Sequence, residues 1–131
     1  MENHPLFTAR IIKGSGKGSA QGYPTVNLDL ADIPKGIPEG IYAGKVLIEN
    51  RAFPAAIHYG PRPVHQLGKS FEAHLLEVSG ITYPVLGMVK VELKKKLREV
   101  QDFKSEEELS KQIQRDIEEC RVILTDESVP R

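Results

Sequence analysis

Residues 41–58, IYAGKVLIENRAFPAAIH, read as two extended segments around a short turn. Residues 41–48 are rich in β-branched and aromatic side chains, Glu49-Asn50 supplies the turn, and residues 52–58 are placed to pair back as the second arm of a hairpin. The same signals recur outward from this hairpin. Residues 7–12 form a first strand candidate, residues 71–78 resume extended structure, and in residues 85–93 Val85, Gly87, Val89, Val91 and Leu93 alternate onto one face. Gly60-Pro61-Arg62-Pro63 is expected to be a loop, because each proline lacks the N–H that a central strand needs. Residues 29–40, DLADIPKGIPEG, read as a long surface connection returning the chain to the sheet. Short strands with turn signals and no helices between them predict an antiparallel barrel.

The period changes in the last third. Lys94-Lys95-Lys96 reads as a solvated turn between sheet and helix, and Ser105 followed by Glu108 has capping-box spacing. Leu109, Ile113, Ile117, Cys120 and Leu124 then recur every three or four residues along one helical face. The acidic first turn, Glu106 to Glu108, suits the positive end of the helix dipole, which accounts for these carboxylates without a metal. Residues 125–131 are expected to be a frayed tail.

A chain of 131 residues carries one modest core. Eighteen basic and eighteen acidic side chains cancel, so nothing in the charge points to nucleic acid or an acidic membrane. The first residues, MENHPLF, lack a basic region and an apolar run, and no window approaches the roughly 18 apolar residues that span a bilayer. The chain therefore reads as soluble and cytoplasmic, with no membrane or nucleic-acid partner. Its one cysteine, Cys120, falls on the apolar helix face and reads as a buried, inert thiol.

Between the first strand and the hairpin lies GSGKGSAQGYPTVN, residues 14–27. Gly14, Gly16, Gly18 and Gly22, with Lys17, let backbone N–H groups approach an anion such as phosphate. The spacing matches neither the P-loop nor the dinucleotide fingerprint. Pro24 fixes its own backbone, and Thr25 and Asn27 follow on one side of an extended segment. A hydroxyl and an amide oxygen facing one way are hard ligands that suit Mg²⁺ sharing its shell with substrate phosphates. The plainer account of the same residues is a tight turn entering a strand.

Taken whole, Gly14, Gly16, Lys17, Gly18, Gly22, Tyr23, Pro24, Thr25 and Asn27 closely resemble the signature of the riboflavin kinase family. The resemblance continues through Pro38-Glu39-Gly40-Ile41-Tyr42-Ala43, Gly60 to Pro63, Phe71-Glu72-Ala73-His74-Leu75, and Leu97-Arg98 to Phe103 with the helix beyond. It departs from the family at Lys17, where arginine is usual, at Ile81-Thr82-Tyr83-Pro84, where Asp-Leu-Tyr-Gly is usual, and in VHQLGKS, residues 64–70, which lacks the usual Thr-Phe. The resemblance implies a mostly β, single-domain, closed Greek-key barrel of about six antiparallel strands over residues 5–98, with a C-terminal helix over 105–124 packed against it.

It also implies transfer of the γ-phosphate of ATP, with Mg²⁺ as cofactor, to the ribityl 5′-hydroxyl of riboflavin, giving FMN and ADP. In that reading Gly14, Gly16, Lys17, Gly18, Gly22 and Pro24 cradle the nucleotide, Thr25 and Asn27 hold the metal, and Leu75, Glu77 and Tyr83 border the nucleotide. Arg98, Gln101 and Phe103 border the flavin. Phosphoryl transfer needs one carboxylate to orient or deprotonate the alcohol. Alternation alone makes Glu72 a solvent-facing strand residue, and the resemblance makes it the catalytic base. His74, on the same side, reads as its support, and His58, His65 and His74 lack the close spacing of a zinc site. The expected enzyme is a monomer. Many bacterial relatives carry an adenylyl-transferring domain ahead of this one, and the sequence leaves open whether the chain is a single-function kinase or one part of a longer protein. The competing reading is a flavin- or nucleotide-binding module of the same fold without catalysis, which would not need Thr25, Asn27 and Glu72 together.

Overall fold

The computed structural model describes residues 5–12, 24–61, 68–77, 87–101 and 103–128. Six strands run β1 (Leu6–Ile12), β2 (Thr25–Leu28), β3 (Gly40–Ile48), β4 (Arg51–Pro61), β5 (Lys69–Leu75) and β6 (Met88–Arg98), followed by helix α1 (Glu106–Ser128). They close into a barrel in the order β1-β2-β5-β4-β3-β6, every pair antiparallel. Strands β3, β4 and β5 form a meander, β2 pairs beside β5, and the connection from β2 to β3, holding a 3₁₀ turn, Leu30–Asp32, spans the meander; this is the Greek-key arrangement. Asp29 caps that turn, its Oδ1 accepting from Ala31 N at 2.9 Å, and Asp32 Oδ2 accepts from Arg10 N at 2.9 Å, tying the connection to β1. Among the described residues no helix is long and apolar enough to cross a membrane.

Alternation along the strands divides the apolar residues into two bodies. Val26, Leu28, Tyr42, Val46, Phe53, Ile57, Phe71, Ala73, Leu75, Val89, Val91 and Leu93 fill the barrel. Ala43, Ala56 and Leu76 instead face outward and meet Ile117, Cys120 and Leu124 of α1, so the helix seals one part of the outer wall. Phe71 anchors the interior, with Phe7 edge-on at 5.7 Å and Tyr59 tilted at 5.5 Å between ring centroids. The β3–β4 hairpin turns at Glu49 (φ 50°) and Asn50 (φ 71°), both in the left-handed region that a two-residue hairpin turn requires.

Several details differ from the sequence reading, among them that Gly87, expected in the last strand, precedes it at φ 94°. Strand β4 continues through Gly60 and Pro61 instead of ending before them, because Pro61 pairs with Lys69 at the last position of the ladder, where its missing N–H costs least. Gly60 sits at φ +143°, and a side chain there would crowd Val100. Strand β5 begins two residues earlier than expected, at Lys69, and ends at Leu75. Strand β6 continues to Arg98, so Lys94, Lys95 and Lys96 are strand residues; two register shifts against β3 accommodate them, and Lys94 and Lys96 pair with Glu92 and Glu99 at 3.2 and 2.7 Å. Helix α1 runs to Ser128 instead of stopping at 124, since no glycine or proline interrupts that stretch. Its start is as expected: Glu108 N donates to Ser105 Oγ at 3.2 Å.

Candidate active site

The register places Thr25, Asn27, Glu72 and Arg98 on one outer wall. In the β2–β5 pair Thr25 stands opposite His74 and Asn27 opposite Glu72, while the intervening Val26 and Ala73 point into the core. In the next pair His58 stands opposite Glu72; across β3, Ile41 stands opposite His58 on one side and Arg98 on the other. Asn27, Glu72, His58, Ile41 and Arg98 therefore form a single row across five strands. At about 4.8 Å per strand, the row from Asn27 to Arg98 spans roughly 19 Å of curved wall.

At one end of the row Thr25 Oγ1 lies 2.9 Å from His74 Nδ1. Burial pushes the His74 pKa below its ordinary value, and His58 pushes the same way, against the opposing charges of Glu72 and Asp116. Burial thus favours the neutral imidazole, the form that can accept the Thr25 hydrogen. Thr25 is nearly buried and Asn27 half-buried, and together they offer two neutral, hard oxygen donors from adjacent same-face positions. Such a pair fits Mg²⁺, which brings its own waters and takes phosphate oxygens for the rest of its shell; it does not fit a closed zinc site.

Glu72 is half-buried, and its Oε2 accepts a 2.6 Å hydrogen bond from Ser70 Oγ, two residues earlier on the same face. Ser70 is itself buried, and its Oγ lies 3.4 Å from His58 Nδ1. His58 Nε2 lies 3.0 Å from the Pro61 carbonyl, to which it can only donate.

At the other end the Arg98 guanidinium forms a two-pronged ion pair with Asp116 of α1, Nε to Oδ1 at 3.0 Å and Nη2 to Oδ2 at 2.8 Å. Its Nη1 donates to the Glu99 carbonyl at 3.0 Å, and Phe103 lies beside it at 5.9 Å from the ring centroid. Gln112 Nε2 also donates to Asp116 Oδ1, at 3.1 Å. Arg98 and Phe103 are in contact, while Gln101 is exposed on the segment between them.

Leu75 does not face this wall: its side chain is fully buried in the barrel, and only its backbone N–H reaches the site strand, donating to the Pro24 carbonyl at 2.9 Å. Glu77 lines a separate cleft of about 310 Å³ with Lys45, Ala52, Pro54, Leu76, Arg121 and Leu124, farther along the wall under the helix. Gly14, Gly16, Lys17, Gly18, Gly22 and Tyr83 lie outside the described residues. The sequence reading missed Ser70 and Asp116. Ser70 was detectable as the same-face neighbour two before Glu72. Asp116 carried no local signal, because an acidic residue beside Ile117 reads as the edge of the apolar stripe.

A model of the riboflavin kinase family (flavokinase) matches residues 2–124. The bifunctional riboflavin kinase/FMN adenylyltransferase of Escherichia coli K12 is 34% identical over 116 residues, covering 86% of this chain and 36% of the relative. The protein of the same description from Haemophilus influenzae is 33% identical over 114 residues, with the same coverage of both. The chain thus spans about a third of the length of these curated relatives. Two crystal structures share the fold. A riboflavin kinase from Trypanosoma brucei has TM-score 0.59 at 19% identity, covering 92% of this chain and 79% of that one. A chain described as a macrolide-efflux protein from Streptococcus pneumoniae has TM-score 0.72 at 24% identity, covering 88% of this chain and 38% of that one. With the family model matched over residues 2–124, and with Thr25, Asn27, Glu72 and Arg98 on one outer wall of the barrel, the chain belongs to the riboflavin kinase family.

Proposed function

We propose that this chain transfers the γ-phosphoryl group of ATP to the ribityl 5′-hydroxyl of riboflavin, producing FMN and ADP. The observation that carries the proposal is the pairing of Asn27 with Glu72 across β2 and β5, next to Thr25 paired with His74. Neutral oxygen donors for a metal-bound phosphate and a carboxylate for an alcohol are needed side by side, and adjacent antiparallel strands supply that spacing. Thr25 and Asn27 would hold Mg²⁺, which when bound neutralises charge on the transferring phosphate. Glu72 orients the ribityl hydroxyl and accepts its proton as the new O–P bond forms. Arg98, fixed by Asp116, and Phe103 border the flavin ring, and Gln101 lies on the same rim. The glycines from Gly14 to Gly22, with Lys17, cradle the phosphates, while Pro24, Glu77 and Tyr83 belong to the nucleotide side, where Leu75 contributes only through the backbone bond that holds Pro24. Glu77 reaches that side only if the nucleotide extends toward the cleft it lines.

The joint presence of Thr25, Asn27 and Glu72 favours an enzyme over a binding module, which has no use for a base beside a metal site. We take the working form to be a cytoplasmic monomer, with residues 1–131 acting as one domain. Incubation with riboflavin, ATP and Mg²⁺, followed by chromatographic separation of the flavins, tests the activity directly. FMN formation that depends on both ATP and metal is the expected result. Tight flavin binding with no FMN formed would instead establish the non-catalytic module.

A further inference from the structure

The Ser70 hydroxyl has one hydrogen and two facing acceptors. Glu72 Oε2 lies at 2.6 Å and His58 Nδ1 at 3.4 Å. His58 Nε2 faces a backbone carbonyl at 3.0 Å, so in the neutral ring the hydrogen sits on Nε2 and Nδ1 is a lone-pair acceptor. The shorter contact has the length of a hydroxyl donating to a charged carboxylate, which places the hydrogen on the Glu72 side while Glu72 is ionised. All three side chains share the outer face, Glu72 and His58 as a cross-strand pair and Ser70 two residues before Glu72.

We propose that Ser70 and His58 are positioning residues for Glu72, with the Ser70 hydroxyl acting as a rotor that satisfies the carboxyl group in both of its protonation states. This inference rests on Glu72 being the base. Before transfer, Ser70 donates to the ionised Oε2. During transfer the ribityl O–H bond breaks, its electron pair forms the new O–P bond, the bond from phosphorus to the ADP oxygen breaks with its electron pair leaving on ADP, and the proton passes to Glu72 Oε2. The carboxyl group can then donate from Oε2 to Ser70 Oγ, and the Ser70 hydrogen turns to Nδ1 of His58. No heavy atom has to move, so the base neither swings away when it is neutralised nor needs a water to complete its hydrogen bonding. The proton later leaves the carboxyl group for solvent as FMN is released, and the rotor turns back. A buried serine between a carboxylate and an imidazole is otherwise an unneeded polar group in a wall that could have been apolar.

The test is steady-state kinetics on Ser70→Ala, Ser70→Thr, His58→Leu and His58→Gln, with melting temperature recorded for each. Loss of a hydrogen bond to a charged group corresponds to about a 10- to 100-fold fall, so Ser70→Ala should lower kcat by that factor while both KM values stay within about threefold. Ser70→Thr keeps the hydroxyl and should recover most of the rate. His58→Leu removes the second acceptor and should slow turnover, whereas His58→Gln keeps a carbonyl acceptor and should be faster than His58→Leu. Ser70→Ala combined with His58→Leu should be no slower than Ser70→Ala alone, since the two act through one hydroxyl. In a Glu72→Gln background Ser70→Ala should add little. Parent-like kcat in Ser70→Ala, equal losses in Ser70→Ala and Ser70→Thr, or full additivity of the two sites would overturn the proposal. Should Ser70→Ala not fold, the His58→Leu and His58→Gln pair decides, equal rates refuting the rotor. A Glu72→Gln variant as fast as the parent would be a different outcome, removing the base itself.

Discussion

Thr25 on β2 and His74 on β5 stand directly opposite each other, with Thr25 Oγ1 2.9 Å from His74 Nδ1. Burial lowers the His74 pKa and so favours the neutral ring, which can accept the Thr25 hydroxyl hydrogen. Asn27, two residues on, has the same outlook. Asn27→Ala should therefore weaken binding of MgADP by on the order of 10-fold, the scale of one charge-assisted contact, while metal-free ADP binds as it does to the parent. Calorimetry with and without EDTA separates the two. Equal losses in both conditions would make Asn27 a nucleotide contact and not a metal ligand.

Asp116 is nearly buried and takes both prongs of the Arg98 guanidinium, joining the end of β6 to the middle of α1. Removing one partner of a largely buried pair leaves the other charged and unmatched, which costs about 3 kcal/mol or more. Asp116→Ala is expected to destabilise the fold by that amount in a denaturant titration. It should also raise the KM for riboflavin, since Arg98 loses the brace that fixes its orientation. A change in stability with the riboflavin KM untouched would separate Arg98 from the flavin site.

Burial pushes the Cys120 thiol up to about 12, with Asp116 and Glu119 adding in the same direction. At pH 8 only about one thiol in 10⁴ is then ionised, and it lies on the face of α1 packed against the barrel. Native protein should react with a thiol reagent at a negligible rate, rising sharply in denaturant, with FMN formation unaffected by pretreatment. Rapid stoichiometric labelling of the folded chain would contradict the packing of α1 on the barrel.

The hairpin at the centre of the barrel was legible because β-branched alternation and the Glu49-Asn50 turn act locally, within a few residues of one another. The far end of β6 was not legible. Lysines at 94–96 look like a turn in sequence, and only the shifted pairing with β3 and the carboxylates of Glu92 and Glu99 make them strand. The same holds for the site. Period-two spacing shows that Thr25 shares a face with Asn27, and Glu72 with His74, but no local rule says that these two strands are neighbours in register. Asp116 was hidden for a further reason: its partner Arg98 lies eighteen residues away on another element, and a lone acidic residue next to an apolar stripe reads as the stripe's edge.

Glu72→Gln is the substitution that discriminates most sharply. Glutamine keeps the side chain's volume and a carbonyl oxygen that can accept from Ser70, so the 2.6 Å contact has a near-equivalent and the strand pairing with Asn27 and His58 is undisturbed. What it lacks is the capacity to take the ribityl proton. Loss of a general base costs on the order of 10²- to 10⁴-fold in rate, and more if the same carboxylate also aligns the hydroxyl with the γ-phosphate. A neutral flavin gains little from a carboxylate that meets only its ribityl end. Riboflavin affinity, followed by flavin fluorescence, should therefore stay within a few-fold of the parent while FMN formation collapses. If Glu72→Gln formed FMN at the parent rate, Glu72 would be an ordinary outward-facing strand residue, and the row from Asn27 to Arg98 would bind flavin and nucleotide without supplying the base.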